Sequence, residues 1–299
     1  MNVMVRRTNC ALSQNAGISQ GEICLMRKQD LKRASAALLC GALLLCTGCK
    51  QKTVTLESTD YDDQVAEQTV SASDIVNFTL PQKGEEIVVM TIQDYGDVKI
   101  RLFPEESPKG VENFIKLVES GFYDELIFHR VVDGFVIQGG DPKGNGTGGV
   151  DAWGSNTGFE QTISGHLCHV TGAVAYAIGA DKLNKSQFYI VTGQEVTPDY
   201  LQQLRDAAGI SLSPELTQLY QNVGGQPYLD GGYEVFGQVF DGLEHCLAIQ
   251  KVTTDSNSKP KTPVVIEKAV VTEYDGAEPH WLNAAGEEIS VSSALNNEG

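Results

Sequence analysis

The chain has 299 residues, which is long enough for one large domain or two small ones, and 41% of them are hydrophobic, which is enough for a packed core. Its formal net charge is −17, and because the first 48 residues carry more basic than acidic side chains, the remainder is more acidic still. Such an acidic body repels phosphate backbones, which argues against a nucleic-acid-binding protein.

A targeting segment begins at Met26. Residues 26–33 are rich in basic side chains and residues 34–46 form an apolar run. That run is too short to span a bilayer, and it has the flanks of a secretory signal. Residues 1–25 fit no such pattern, so we interpret them as a mis-annotated start and place the signal peptide at 26–48.

The end of this segment is informative, because Thr47 and Gly48 precede Cys49. It resembles a bacterial lipoprotein signal, in which Cys49 becomes the lipidated first residue, although Cys46 stands where that motif usually has Leu. A diacylglyceryl group carries two acyl chains, which suffice for stable anchoring. The resemblance therefore implies an extracytoplasmic protein that is lipid-anchored to the bacterial cell membrane. Secretory cleavage without a lipid is the alternative.

Composition divides the rest of the chain into three parts. Residues 49–84 are polar and acidic without a helical stripe, which is typical of a flexible tether. Residues 85–275 carry the periodic segments and form the predicted domain. Residues 276–299 have no periodic pattern, which predicts a loose C-terminal tail. Within the domain, Cys168 and Cys246 are either buried free thiols or a disulfide pair, since sequence does not fix their separation.

The predicted domain begins with two strands and a helix. Residues 87–92 form a continuous apolar run, and apolar side chains alternate along 96–102. Ser107 can cap a helix that has Pro108 at its first position. From Val111 onward, apolar residues recur at the spacing of one helical face.

The stretch 128–141 reads Phe-His-Arg-Val-Val-Asp-Gly-Phe-Val-Ile-Gln-Gly-Gly-Asp. Strand-forming residues on both sides of Asp133 and Gly134 predict two short strands that meet at a turn. In such a hairpin, Arg130 and Gln138 could face one groove. The alternative is an Arg in a surface salt bridge and a Gln that caps a turn.

Glycine-rich residues 144–149 follow this stretch. They lack the Lys-Ser/Thr ending of a P-loop and no helical stripe follows them, so we discount phosphate binding. Two further β runs are predicted, at 172–177 and 186–191. Their small residues let a ligand approach the backbone closely.

Residues 195–226 predict an insertion in one loop, with short amphipathic helices at 198–208 and 213–223. The insertion is either a lid or rim beside the groove or an inert decoration. After it, the pattern predicts a helix over 243–251 and closing strands within 264–271.

The stretch 128–141 closely resembles the signature segment of the cyclophilins, the peptidyl-prolyl cis-trans isomerases. The resemblance covers about residues 85–274, and the preceding order of strand, turn, strand and helix agrees with it. It implies a mostly-β fold: a closed eight-stranded antiparallel cyclophilin-like β-barrel capped by two α-helices, here with a helical loop insertion near 195–226. Periodicity alone predicts only a mostly-β domain with two main helices.

The resemblance also implies a site, residue by residue. Arg130 would be the catalytic donor to the proline nitrogen, and Gln187 would orient Arg130. The residues expected to bind substrate are Phe135, Val136, Gln138, Gly146, Ala177, Ile178, Tyr189, Tyr228, Leu229 and Tyr233. Rotation about an amide bond breaks no bond, so neither a metal nor a cofactor is expected. His166, Cys168 and His169 are close in sequence but lack the further ligands that a zinc site needs.

Three of these positions depart from the commonest family pattern. Tyr189 stands where many members have Phe, Tyr228 where many have Trp, and Tyr233 where many have His. An aromatic body remains at the first two positions. The absence of this Trp argues against tight binding of cyclosporin, the inhibitor of the family.

The implied activity is acceleration of Xaa-Pro rotation during the folding of exported proteins, with proline-containing polypeptides as partners and a monomer as the usual family state. The alternative is a non-catalytic peptide-binding or chaperone module on the same fold. Arg130 discriminates the two hypotheses, because degenerate members of the family typically lose it.

Overall fold

The structure is a computed structural model that describes residues 74–155, 157–291 and 294. The predicted mis-annotated start, signal peptide and lipidation site at Cys49 lie outside the described residues, as does most of the predicted tether. None of the helices in the described ranges has the length and apolar character that a membrane span needs.

The fold is built on one eight-stranded antiparallel sheet, with strands in the order β3-β4-β6-β5-β7-β2-β1-β8. The strands are β1 (Glu86–Ile92), β2 (Gly96–Leu102), β3 (Arg130–Val132), β4 (Val136–Gly139), β5 (Ala173–Tyr176), β6 (Phe188–Val191), β7 (Val235–Asp241) and β8 (Ile266–Glu273). Along β2, the alternating Val98, Ile100 and Leu102 are buried, as the period of two predicts. The prediction of a mostly-β antiparallel fold is confirmed.

The prediction of a closed barrel is wrong, because β3 and β8 are the two edges of an open half-barrel. Strand β3 is only three residues long. The segments that precede the two edge strands meet through an isolated bridge between Ile127 and Val265. Hydrogen bonds flank that bridge, from Phe128 N to Val264 O at 2.9 Å for example. A barrel needs a continuous ladder between its first and last strands, and this bridge does not continue into one.

Within the described residues, four α-helices accompany the sheet: α1 (Pro108–Glu119), α2 (Pro198–Ala208), α3 (Pro214–Val223) and α4 (Leu243–Ile249). A 3-10 turn at Pro227–Leu229 follows α3. The predicted α1 is confirmed, but the hydroxyl of its N-cap Ser107 donates to the buried Glu234 at 2.6 Å instead of capping the backbone. Both predicted insertion helices are present, and each has a capping side chain at its start, Thr197 for α2 and Ser213 for α3.

The packed region extends beyond the predicted limits of 85–275 at both ends. Ile75 and Phe78, from the end of the predicted tether, are buried in the core. Trp281, from the predicted loose tail, is also buried and packs its ring against Phe78 at a centroid distance of 5.4 Å. Residues 75–80 are rich in apolar side chains, whereas Trp281 stands in a segment without a periodic pattern. The contact between Phe78 and Trp281 joins the two segments that flank the predicted domain.

Candidate active site

The sheet register brings four of its residues into one row. Arg130 on β3 is directly opposite Gln138 on β4, and Gln138 is opposite Tyr189 on β6. Tyr189 is in turn opposite Ala175 on β5. Because directly opposed residues of an antiparallel sheet point to the same face, the side chains of these residues share one surface.

Arg130 is held by two contacts within its own hairpin. Its Cζ lies 5.4 Å from the centroid of the Phe135 ring, a cation–π geometry. Its Nη1 donates to Gln138 Oε1 at 3.5 Å. Burial lowers the pKa of Arg130 from its usual value and the neighbouring Tyr228 opposes this shift, but a guanidinium stays charged at physiological pH. The hairpin therefore presents a fixed, partly buried cation.

Gln187 reaches Arg130 through Gln138. Gln138 Nε2 donates to Gln187 Oε1 at 3.0 Å. The other end of the Gln187 amide donates to the carbonyls of Gly146 and Gly148, at 3.2 and 2.6 Å. Gln187 thus connects the sheet to the glycine-rich loop, and its effect on the guanidinium is indirect.

Asp141 holds the same loop from the other side. Its carboxylate accepts backbone N–H bonds from Lys143, Asn145 and Gly146, at 2.9, 3.0 and 2.6 Å. Burial acts to raise the pKa of Asp141. The N–H groups of these residues and of Gly148 together lower the pKa by more than burial raises it, so it lies below its usual value. This role of Asp141 was not predicted from the sequence. An Asp directly before a turn-rich, glycine-rich segment was the available signal.

Apolar and aromatic side chains pack beside the Phe135 ring on which Arg130 stacks. Val136, Tyr189 and Leu229 are buried, and they belong to one core cluster against which Phe135 packs. The rings of Phe135 and Tyr228 are stacked, with centroids 6.1 Å apart and 15° between their planes. Tyr228 is 41% exposed, and burial of its remaining surface raises its pKa to about 12, so its hydroxyl is neutral.

Tyr233 packs edge-on against Tyr189, with centroids 6.2 Å apart. The structure therefore places Tyr189 and Tyr233 in contact, and Tyr228 in contact with Phe135. All three positions that depart from the usual family residue contribute aromatic surface to this region.

Ala177 and Ile178 line a depression of about 490 Å³ that is also lined by Gly146. Ala177 packs at the same time against the same apolar cluster as Phe135 and Tyr233. Gln138 and Gln187 line the same depression, so it adjoins the row that carries Arg130. The backbone N–H of Ala177 donates to Gln187 O at 3.0 Å, so a bound chain would meet the carbonyl of Ala177.

His166 and His169, which lie close together in sequence, have different partners. The Nδ1 of His166 lies 3.1 Å from Glu106 Oε1, in an exposed pair, whereas His169 is buried and pairs with Asp230. Among the described residues, no group of three or more His, Cys, Asp and Glu side chains is arranged to hold a metal ion. Cys168 and Cys246 are both buried and free.

A partly buried cation, an apolar and aromatic cluster beside it and a depression beyond two glutamines fit a mostly-β protein of the peptidyl-prolyl isomerase class. Residues 87–271 match the family model described as cyclophilin type peptidyl-prolyl cis-trans isomerase/CLD. The chain therefore belongs to the family of cyclophilin-type peptidyl-prolyl cis-trans isomerases.

Curated relatives and a solved structure agree with this assignment. A Staphylococcus aureus (strain N315) protein named for peptidyl-prolyl cis-trans isomerases is 38% identical over 192 residues, which are 64% of this chain and 94% of that protein. A Staphylococcus epidermidis protein with the same name is 37% identical and is covered over 93% of its length. The crystal structure of a Cryptosporidium parvum cyclophilin type peptidyl-prolyl cis-trans isomerase is 30% identical, with a TM-score of 0.50, and the match covers 63% of this chain and 98% of that chain.

Proposed function

We propose that this protein accelerates rotation of Xaa-Pro bonds in exported polypeptides while a lipid on Cys49 holds it at the outer face of a bacterial cell membrane. The observation that carries the catalytic part is the position of Arg130. Its guanidinium lies over Phe135 and beside Gln138, next to an apolar cluster that includes Val136, Tyr189 and Leu229.

The chemistry needs a donor that prefers the twisted amide. Amide resonance resists rotation by about 18–20 kcal/mol, and uncatalysed Xaa-Pro exchange takes on the order of tens to hundreds of seconds. In the twisted state the proline nitrogen becomes pyramidal and gains a lone pair. A hydrogen bond from Arg130 to that lone pair exists only in the twisted state, which is the condition for catalysis. Each ~1.4 kcal/mol of this differential stabilisation gives about tenfold in rate.

The remaining residues hold the peptide around that nitrogen. Val136, Tyr189 and Leu229 surround the proline ring, with Phe135 and Tyr228 at the mouth of the pocket. Gln138 binds a substrate carbonyl, and Gln187 acts as a positioning residue through Gln138. The peptide on either side of the proline also contacts Gly146, Ala177, Ile178 and Tyr233.

The catalytic part is tested by prolyl exchange on a proline-containing peptide, measured with the full chain. Arg130→Ala is compared with Arg205→Ala, an exposed arginine on α2 that serves as the matched control. We expect Arg130→Ala to lower kcat by about 10²-fold or more, the loss typical of a preorganised donor, while Arg205→Ala retains wild-type kcat. If neither wild type nor variant accelerates exchange and both still bind the peptide, the protein is instead a peptide-binding module.

The location is tested separately, in a bacterial host. Its support is the sequence of residues 26–49, a basic stretch and an apolar run that end at Cys49. Cys49→Ser should release the protein from the membrane fraction and abolish the mass of a diacylglyceryl group. Cys40→Ser is the matched control, because Cys40 lies in the apolar run ahead of the lipoprotein motif and its replacement should leave anchoring intact. Membrane attachment that survives Cys49→Ser contradicts the lipid anchor.

A further inference from the structure

The hydroxyl of Tyr189 is buried beside the proposed proline pocket. Tyr189 is only 5% exposed, and a buried hydroxyl requires a hydrogen-bond partner. That partner is His169, whose Nε2 lies 3.0 Å from the Tyr189 Oη. The two rings also stack, with centroids 6.0 Å apart and 23° between their planes. His169 therefore fixes both the plane and the polar end of Tyr189.

Asp230 sets the orientation of His169. Its Oδ1 accepts the backbone N–H of His169 at 2.8 Å and lies 2.8 Å from Nδ1 of the same residue. A carboxylate only accepts hydrogen bonds, so Nδ1 of His169 carries a proton that it donates to Asp230, and in this tautomer Nε2 is left to accept. Burial raises the pKa of Tyr189 well above its usual value, so the hydroxyl of Tyr189 keeps the proton that it donates to Nε2.

The chain of contacts continues into the insertion. Tyr220 is a fully buried residue of α3, and its hydroxyl donates to Asp230 Oδ2 at 2.6 Å. The backbone N–H of Gln226, which follows α3, donates to the carbonyl of His169 at 2.8 Å. Both oxygens of Asp230 are thus used, one by His169 and one by the insertion.

We propose that His169 and Asp230 are positioning residues for the proline pocket, and that Tyr220 completes their support from the insertion. The three residues direct the hydroxyl of Tyr189 toward His169 and leave its ring as an apolar wall for the proline ring. This inference rests on the proposed function, since it takes Tyr189 as part of the proline pocket. It also gives the insertion a role, as a structural support of the pocket.

A double-mutant cycle between His169 and Tyr189 tests this inference. We would measure KM and kcat for prolyl exchange and the peptide Kd by titration, for His169→Phe, Tyr189→Phe and the double variant in the full chain. His169→Phe should raise KM and Kd about three- to tenfold, the effect of one lost hydrogen bond, with kcat little changed. In the Tyr189→Phe background, the same substitution should change KM and Kd less than about twofold, because the shared hydrogen bond is already absent.

The matched control is His166→Phe, an exposed histidine three residues earlier, which should leave KM and Kd unchanged. A general structural role of His169 predicts a different result: an equal effect in both Tyr189 backgrounds, or a lower kcat at constant KM that follows a loss of Tm. Either outcome overturns the inference.

The wild-type protein offers a second measurement that does not depend on a variant folding. The ¹⁵N spectrum of the His169 ring should show Nδ1 protonated and Nε2 unprotonated at neutral pH, and a protonated Nε2 with a bare Nδ1 overturns the inference. If wild type binds peptide without accelerating exchange, the proposed function fails, and the cycle measured as Kd still decides whether His169 supports the pocket.

Discussion

The side-chain amide of Gln187 donates to the carbonyl of Gly148 at 2.6 Å, while its oxygen accepts from Gln138 at 3.0 Å. One side chain therefore joins the sheet that bears Arg130 to the loop that forms the far side of the groove. Without this amide, the carbonyls of Gly146 and Gly148 lose their hydrogen bonds to Gln187.

We expect Gln187→Leu to raise KM for a proline-containing peptide by about tenfold, because each lost hydrogen bond is worth ~0.5–1.5 kcal/mol. Gln187→Glu should be worse, since it places a carboxylate against two carbonyl oxygens. Gln202→Leu, an exposed glutamine on α2, is the control. Exchange rates at several peptide concentrations measure KM, and a variant with unchanged KM would show that the loop holds its position without Gln187.

The stability that the glycine-rich loop gives to the fold should depend on pH through Asp141. Its folded-state pKa lies below the unfolded value, so the stabilisation from its backbone N–H partners is present above the unfolded pKa and is lost as pH falls through the folded pKa. Asp141→Asn should reduce the free energy of unfolding by about 1–3 kcal/mol at pH 7. The difference between wild type and variant should shrink as the pH falls below about 4, the usual range of an Asp pKa.

Urea unfolding at several pH values measures this difference. Asp133→Asn is the control from the same hairpin, since the Asp133 carboxylate pairs with Lys251 in an exposed salt bridge that is worth little. If the difference in the free energy of unfolding between wild type and Asp141→Asn stays constant with pH, the charge of the Asp141 carboxylate does not stabilise the loop.

Local pattern was enough to predict the hairpin and the helices, because their information lies within a few residues. Arg130 and Gln138 are eight positions apart and meet across one turn. Pro108 after Ser107 indicated the start of α1, and the spacing of apolar residues indicated α2 and α3. The resemblance to a known family supplied what local pattern could not, namely the residues of the pocket on separate strands.

Contacts between distant parts of the chain were the part that sequence did not predict. His169 and Asp230 are 61 positions apart, and His169 was considered only as a metal ligand because its neighbours in sequence suggested one. The open edge between β3 and β8 was missed for a related reason. Composition indicates where a strand forms, but whether the sheet closes depends on how many residues of the first and last strands pair with each other, and composition does not indicate this.

The C-terminal segment should contribute to stability. Trp281 is buried between Phe78 and Phe240, with ring centroids 5.4 and 6.4 Å away. Trp281→Ala should lower the free energy of unfolding by about 3–5 kcal/mol, the cost of removing a large buried side chain. The other tryptophan of the chain, Trp153, is 41% exposed, so Trp153→Ala should cost much less. Equal, small effects in urea unfolding would show that the segment is dispensable.

The guanidinium of Arg130 should matter for its shape as well as its charge. Lysine keeps the positive charge but lacks the planar fork that stacks on Phe135 and donates to Gln138. We expect Arg130→Lys to lower kcat for prolyl exchange by about tenfold or more, since a misplaced donor loses most of its preference for the twisted amide. KM should change less than about twofold, because the pocket residues are untouched. Arg205→Lys on α2 should leave both constants at their wild-type values, and full kcat in Arg130→Lys would show that a point charge at this position is sufficient.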